Sequence, residues 1–283
     1  MKSIIYILLL LVTTQLLNAK EFTFPSAKFI EPVQESATSK RIIGVANFEK
    51  IRDLADNKKL YNTARRVAFL NINNEGACTG TLVGPDLILT NAHCVMDLRT
   101  KRMKHYTKIK VAMEYLQKGI QPTYQAQVIE VIKVNPRLDY SLLKLNKAIG
   151  RHYGWLELAD EVPTKGDVMV IQHPSAREKE VSRVQSSIVK REGFVLHYYA
   201  DTEPGSSGSP VFNLKGIKLI ALHHAGACIA AHKKSNNMCS QYDFNEGIDI
   251  TKIKKEIAQY LPSCAIDGDF PGKFVNKCVY LTE

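Results

Sequence analysis

The chain has one tryptophan, no Cys-x-x-Cys pair, and nothing beyond its first twenty residues that approaches the roughly 20 apolar residues of a membrane-spanning helix. The missing Cys-x-x-Cys spacing argues against a structural zinc site. His173, His223 and His224 have no acidic partner at ligand spacing, so no metal and no cofactor is expected. Acidic residues are in deficit, 28 against 38 basic ones, and the net charge is +10 over 283 residues. About +8 of this lies from Ile42 onward. The lysines are scattered and form no aromatic-interleaved stripe, so nucleic acid is not an expected partner. The charge instead favours anionic surfaces or acidic substrates through long-range steering. With 45% hydrophobic and 23% charged residues, the composition is that of a soluble globular protein rather than a disordered chain.

What is present begins with a segment that reads as an export signal. Lys2 precedes the apolar run Ile4 to Val12, and Leu17-Asn18-Ala19 ends in the small residue that signal peptidase accepts, so residues 1–19 are expected to be removed. A secreted protein without a stable membrane anchor follows. The final compartment and the oligomeric state are not set by the sequence. Export also places the six cysteines where disulfides persist. Six cysteines allow 15 connectivities. Proximity favours Cys228 with Cys239 and Cys264 with Cys278.

Residues 20–41 are rich in Lys, Glu, Ser, Thr and Pro without an apolar period and read as an extended leader, closed by Lys40-Arg41-Ile42-Ile43-Gly44. From Val67 short apolar runs alternate with turn residues. The first series comprises 67–72, 78–83, 87–90, 108–112, 127–134 and 141–145; the second comprises 168–172, 180–188, 193–199, 211–212 and 218–223. Many short strands with Gly, Pro and Asn turns predict an all-β barrel or sandwich. One helix is signalled over 250–261, where Asp249 can cap, Ile250, Ile253, Ile257 and Leu261 recur at helical spacing, and Pro262 stops the chain. Trp155 and Tyr198-Tyr199 read as core or strand-face aromatics. Residues 262–283 form an extension without an assigned role.

The chemistry is concentrated in three segments. Thr202-Glu-Pro-Gly-Ser-Ser-Gly-Ser-Pro-Val-Phe212 places Ser207 between glycines ahead of an apolar strand, where a serine can act as nucleophile. A serine hydroxyl needs a base to take its proton and a carboxylate to orient that base. His93 stands at the end of the apolar run Gly80 to Val95, and Asp139 opens the run Asp139-Tyr-Ser-Leu-Leu.

In the order His, Asp, Ser, the strings Thr90-Asn-Ala-His-Cys94, Asp139-Tyr-Ser-Leu-Leu143 and Gly205-Ser-Ser-Gly-Ser-Pro210 resemble the signatures of chymotrypsin-like serine peptidases, and more closely of their bacterial glutamyl endopeptidase branch. The resemblance covers roughly residues 42–261. It implies two six-stranded antiparallel barrels, about 42–150 and 151–248, with the helix 250–261 packed on the second. The active site would lie between them, with His93, Asp139 and Ser207 catalytic and the amides of Gly205 and Ser207 stabilising the oxyanion. It also implies a Cys78–Cys94 bridge and cleavage after Arg41. One departure is Ser206, which stands where the trypsin branch has an aspartate that pairs with the new amino terminus.

For specificity the resemblance places Thr202 and His223 where the glutamyl branch recognises a substrate carboxylate, and Asp201 where trypsin-like enzymes bind Arg or Lys. Hydroxyl and imidazole donors suit an acidic side chain, which favours Glu or Asp at the cleaved bond. Adjacent strand residues face opposite sides, so at most one of His223 and His224 faces the pocket. The expected function is a secreted serine endopeptidase acting on protein or peptide substrates. A catalytically silent binding or adhesin protein on the same fold and an esterase with the same triad are the alternatives.

Overall fold

The computed structural model describes residues 46–104, 108–227 and 244–262. The first two expected segments, 1–19 and 20–41, the Arg41–Ile42 junction, the cysteines 228, 239, 264 and 278, and the extension beyond Pro262 lie outside the described residues.

The described chain opens with a short strand, β1 (Phe48–Lys50), and a helix, α1 (Lys58–Ala64), whose cap Asn57 accepts the Leu60 N–H at 3.1 Å. Strands β2 (Val67–Ile72), β3 (Gly76–Leu82) and β4 (Leu87–Thr90) follow, then the one-turn helix α2 (Ala92–Val95). A two-strand ribbon, β5 (Met96–Asp97) with β6 (Arg102–Met103), leads to β7 (Ile109–Ala112), β8 (Ala126–Asn135) and β9 (Tyr140–Leu145). The six longer strands close into an antiparallel barrel in the order β2-β3-β4-β9-β8-β7.

Two of the barrel strands, β2 and β4, are buried along their whole length, and that burial explains why the sequence shows continuous apolar runs there instead of strict alternation. Alternate residues go to different cores. Leu70, Ile88 and Leu143 fill the barrel, whereas Val67, Leu89 and Leu142 join the larger cluster shared with the second half of the chain.

After the short helix α3 (Gly150–Tyr153), the second half contributes β10 (Val168–Gln172), β11 (Glu180–Ser182), β12 (Ile188–Glu192), β13 (Val195–Tyr198), β14 (Pro210–Asn213), β15 (Lys218–Ala227) and β16 (Phe244–Asp249). The expected second six-stranded barrel is replaced by one eight-stranded sheet in the order β1-β11-β10-β14-β15-β16-β13-β12. The cause lies at β10. Residues 170–172 of its free edge pair with β11, which carries β1 in turn, so only the start of β10 remains for β12. There the sheet curls back on itself through the single bridge Asp167–Ser187, with Val168 N–H donating to Ser186 O at 3.0 Å and Ile188 N–H to Gly166 O at 2.9 Å.

Helix α4 (Ile250–Ile257) starts where Asp249 accepts the Thr251 N–H at 2.9 Å, and it buries Ile250, Ile253 and Ile257 in the larger cluster. It becomes a 3-10 turn over Ala258–Tyr260 rather than continuing to Leu261, because the residue before Pro262 is pushed to extended backbone. No helix among the described residues is long and apolar enough to cross a membrane.

One cation ties the two halves together. Lys179 is 1% exposed, and its Nζ donates to Ala64 O at 2.8 Å and Met113 O at 2.6 Å. Burial pushes its pKa down to about 7, opposed by Glu114 and reinforced by Arg65. Between this value and the ordinary 10.5, the unfolded chain binds a proton that the folded chain lacks, so this group makes stability rise with pH across that window. Lys179→Met is expected to remove that part of the rise. Thermal unfolding of both proteins at pH 7 and pH 10 checks it, and equal slopes would contradict it.

Candidate active site

His93 leaves the end of β4 on α2, and Asp139 leaves the β8–β9 turn, which the barrel places beside it. Asp139 contacts His93 twice: Oδ1 accepts the backbone N–H at 2.9 Å, and Oδ2 lies 2.7 Å from ring Nδ1. An ionised carboxylate only accepts, so Nδ1 carries the imidazole proton and Nε2 presents its lone pair. Asp139 has φ of 41°, an uncommon left-handed conformation for a residue with a side chain. Asn91 Nδ2 holds its carbonyl at 2.8 Å, while Asn135 Oδ1 accepts the N–H groups of Arg137 and Leu138 at 2.9 and 3.1 Å. Helix α4 reinforces the turn from behind, because Glu256 accepts both Asn135 Nδ2 at 2.9 Å and the Tyr140 hydroxyl at 2.6 Å.

A second imidazole, which sequence reasoning did not place here, lies against the same carboxylate. His224 Nδ1 is 3.6 Å from Asp139 Oδ2, and its Nε2 is 3.7 Å from Glu246 Oε2. Both distances exceed hydrogen-bond range, so these contacts are electrostatic. Pairing runs His223 with Gly247 and then Ala225 with Glu246, leaving His224 as the extra residue of a β-bulge. His223 goes elsewhere because the bulge, rather than regular strand alternation, separates the two rings; the bulge itself had no signal beyond the His-His doublet.

Ser207 sits on the loop from Glu203 to Ser209, where the first barrel and the second sheet meet. Thr79 on β3 donates its N–H to Ser207 O at 2.8 Å and its hydroxyl to Gly205 O at 2.9 Å, while Gly208 N–H reaches His223 O on β15 at 3.0 Å. Gly205 and Gly208 have φ of 93° and 84°, and a Cβ on Gly208 would lie 2.2 Å from Thr79 O. Within this loop Glu203, Ser206, Gly208 and Ser209 all donate their N–H groups to protein acceptors. Among the described residues the amides of Gly205 and Ser207 donate to none, although Gly205 is buried. The Ser207 hydroxyl likewise makes no hydrogen bond to the His93 imidazole among the described residues; such contacts are often long in ligand-free sites. A cavity of about 230 Å³ adjoins the loop, lined by His93, the Cys78–Cys94 pair, Ser175, Pro204 and Gly205.

The expected Cys78–Cys94 bridge is present, with S–S of 2.07 Å. Cys78, His93 and Cys94 are close enough to resemble a metal-ligand group, but both sulfurs are taken by the disulfide and offer no thiolate.

The three specificity candidates are all buried. Asp201 is 2% exposed, and its Oδ2 accepts the Asn47 N–H at 2.9 Å just before β1. Thr202 Oγ1 is 3.0 Å from Asn245 Oδ1 on β16, a partner that lies outside every expected strand. His223 Nδ1 is 2.7 Å from the Tyr198 hydroxyl, whose ionisation is strongly disfavoured by burial and by Glu246.

The model of the trypsin-like peptidase domain matches residues 78–222, a little over half of the chain. The chain belongs to the trypsin-like peptidase domain family. Among its relatives is a glutamyl endopeptidase of Bacillus licheniformis, 25% identical over 184 residues, which cover 62% of this chain and 57% of that protein. Secreted RxLR effector protein 73 of Plasmopara viticola is 28% identical over 193 residues, covering 57% of this chain and 45% of the relative. The chain spans about half or less of the length of the first relatives it matches. A Glu endopeptidase solved with MPD aligns at TM-score 0.55 and 21% identity, covering 77% of this chain and 98% of that one. The active form of the Rv3671c protease from M. tuberculosis aligns at 0.53 and 19%, covering 79% and 91%. These two likenesses establish the chymotrypsin-like fold of this trypsin-like peptidase domain.

Burial pushes the Asp139 carboxyl up, but His224, the His93 ring and the His93 N–H outweigh it and hold the pKa at about 2. As pH falls, the unfolded chain takes a proton near the ordinary 3.8 before the folded chain does. The stabilisation is therefore complete above about pH 4 and is lost as pH drops through 2, on the order of 2 kcal/mol. The stability gap between the parent and Asp139→Asn is expected to shrink from pH 5 to pH 2 in thermal melts; a gap independent of pH would contradict the assignment.

Proposed function

We propose that this trypsin-like peptidase domain is a secreted serine endopeptidase working through Ser207, His93 and Asp139. The observation that carries the reading is the pair of amides, Gly205 and Ser207, left without acceptors among the described residues on a loop that satisfies every other N–H it has. A buried N–H is rarely orphaned, so the buried Gly205 amide, with the half-buried Ser207 amide beside it on the same loop, calls for a ligand oxygen.

The chemistry follows from the donors and acceptors. His93 Nε2 accepts the Ser207 proton as Oγ bonds to the substrate carbonyl carbon. The carbonyl electrons move onto oxygen, which the two amides receive. His93⁺, stabilised by Asp139, returns the proton to the leaving amine as the C–N bond breaks. Water, deprotonated by the same imidazole, then hydrolyses the acyl-enzyme. A serine-directed fluorophosphonate is expected to label the secreted protein, with the labelling rate falling at least ~10³-fold in Ser207→Ala and His93→Ala. Equal labelling of the parent and Ser207→Ala would remove Ser207 as nucleophile.

The processed form would begin at Ile42 after loss of residues 1–19 and of the leader 20–41, with the peptidase domain spanning 42–261. Export is supported by the Cys78–Cys94 disulfide and by a relative that is a secreted effector protein.

For specificity, the engagement of the Asp201 carboxylate with the Asn47 N–H weighs against its receiving a substrate Arg or Lys. The Tyr198 hydroxyl lies 2.7 Å from His223 Nδ1, and in the tautomer that carries its proton on Nε2 the imidazole is a donor suited to a carboxylate. The similarity to a glutamyl endopeptidase agrees with that reading. Cleavage mapping on a peptide library is expected to return Glu or Asp before the cut bond, with kcat/KM for those peptides reduced ~10²-fold in His223→Ala. A preference for Lys or Arg would overturn the roles of Thr202 and His223.

A further inference from the structure

The Ser207 loop does not set its Pro204–Gly205 peptide alone, and the orientation of that peptide decides where the Gly205 N–H points. We infer that Ser175, Arg177 and Glu203 form a latch that holds it, making them positioning residues for the oxyanion site. The inference rests on the serine-peptidase reading above.

The latch begins in the backbone. Ser175 N–H donates to Pro204 O at 2.5 Å. In a planar trans peptide the C=O and the following N–H point in opposite directions, so drawing the Pro204 carbonyl toward Ser175 turns the Gly205 N–H away from it. Ser175 and Ala176 hold this position with φ of 48° and 56°, two successive left-handed residues that both carry side chains. The fit is close: a Cβ on Gly205 would lie 2.7 Å from His173 O and 3.1 Å from Ala176 N.

Such a strained pair persists only where its surroundings over-determine it, and the side chains supply that restraint. Ser175 Oγ donates to Glu203 Oε2 at 2.6 Å, and the Arg177 guanidinium bridges Glu203 and Glu180, reaching the latter at 2.9 Å. Glu203 is 8% exposed and Glu180 5%, so both carboxylates depend on these partners. Glu203 is also fixed through its backbone, because its N–H donates to Ser206 Oγ at 3.2 Å and that hydroxyl donates to Gln172 Oε1 at 2.5 Å. Apart from the Phe48 ring, over which the Arg177 guanidinium sits at 5.4 Å, these partners lie between Gln172 and Ser206. Ser175 and Pro204 also line the cavity beside His93, so the latch borders the space a reacting carbonyl would enter.

The test uses the secreted, processed protein and a chromogenic peptide amide that it hydrolyses. The double variant Arg177→Met/Glu203→Gln removes the Arg177–Glu203 pair together, although it leaves the buried Glu180 without its guanidinium partner. Its kcat is expected to fall ~10²-fold, the effect of one misdirected oxyanion donor, with KM within about twofold of the parent. Arg177→Lys, which keeps a cation near Glu203, is expected to recover part of the loss. Ser175→Ala, which removes only a hydroxyl, is expected to lower kcat ~10-fold at unchanged KM and gives the same readout if the double variant fails to fold. Folded variants that keep the parent's kcat, or that change only KM, overturn the latch while the serine-peptidase reading stands. A parent protein that neither hydrolyses peptide amides nor takes up fluorophosphonate overturns both.

Discussion

Asp139 grips His93 by backbone and ring together, and the geometry around the cleft depends on that double contact. Because Oδ1 takes the main-chain N–H, α2 cannot rotate without breaking the bond; because Oδ2 takes Nδ1, the imidazole can present only Nε2 outward. The carboxylate is itself placed by a left-handed backbone turn, and Asn91, Asn135, Tyr140 and Glu256 surround that turn with hydrogen bonds. A helix at the far end of the described chain thus supports a residue in the first barrel. Hydrogen bonds to buried groups restrain them, and this network holds Asp139, the His93 ring and the backbone in one arrangement, with Asn91 Oδ1 left without a partner among the described residues.

The Ser207 loop is held by a different principle. Its main chain is split between the two halves of the fold: Thr79 on β3 takes two positions and His223 on β15 takes another, so the loop forms only when barrel and sheet are docked. Lys179 bonds across the same junction with two carbonyls from the first half. The asymmetry between a closed barrel and a curled sheet has its use here. With β11 and β1 on the edge of β10, the chain before Phe48 passes close enough for Asn47 to reach Asp201.

Two histidines adjacent in sequence serve separate places because a bulge in β15 inserts one extra residue. His223 joins the Tyr198 hydroxyl, while His224 stands between Asp139 and Glu246. The ladder on either side stays regular, so the bulge redirects a side chain without unravelling the sheet.

Much of this was legible in the sequence. The apolar runs at 67–72, 87–90 and 168–172 coincide with β2, β4 and β10, and the helix after Asp249 starts where its cap and isoleucine spacing place it, because strand burial and helix periodicity are local properties. His93, Asp139 and Ser207 were legible as candidates because each stands at a recognisable junction of apolar run and turn. β16 was not, since Phe-Asn-Glu-Gly-Ile-Asp is a strand only because β13 and β15 offer it partners on both edges. Nor were the open second sheet, the bulge at His224, or the contacts of Asn245, Glu256 and Arg177. Residue order and local pattern determined which groups exist and which strands carry them; docking of barrel against sheet decided which groups meet, because hydrogen bonds and ion pairs act over a few ångströms and join residues that lie up to 154 positions apart.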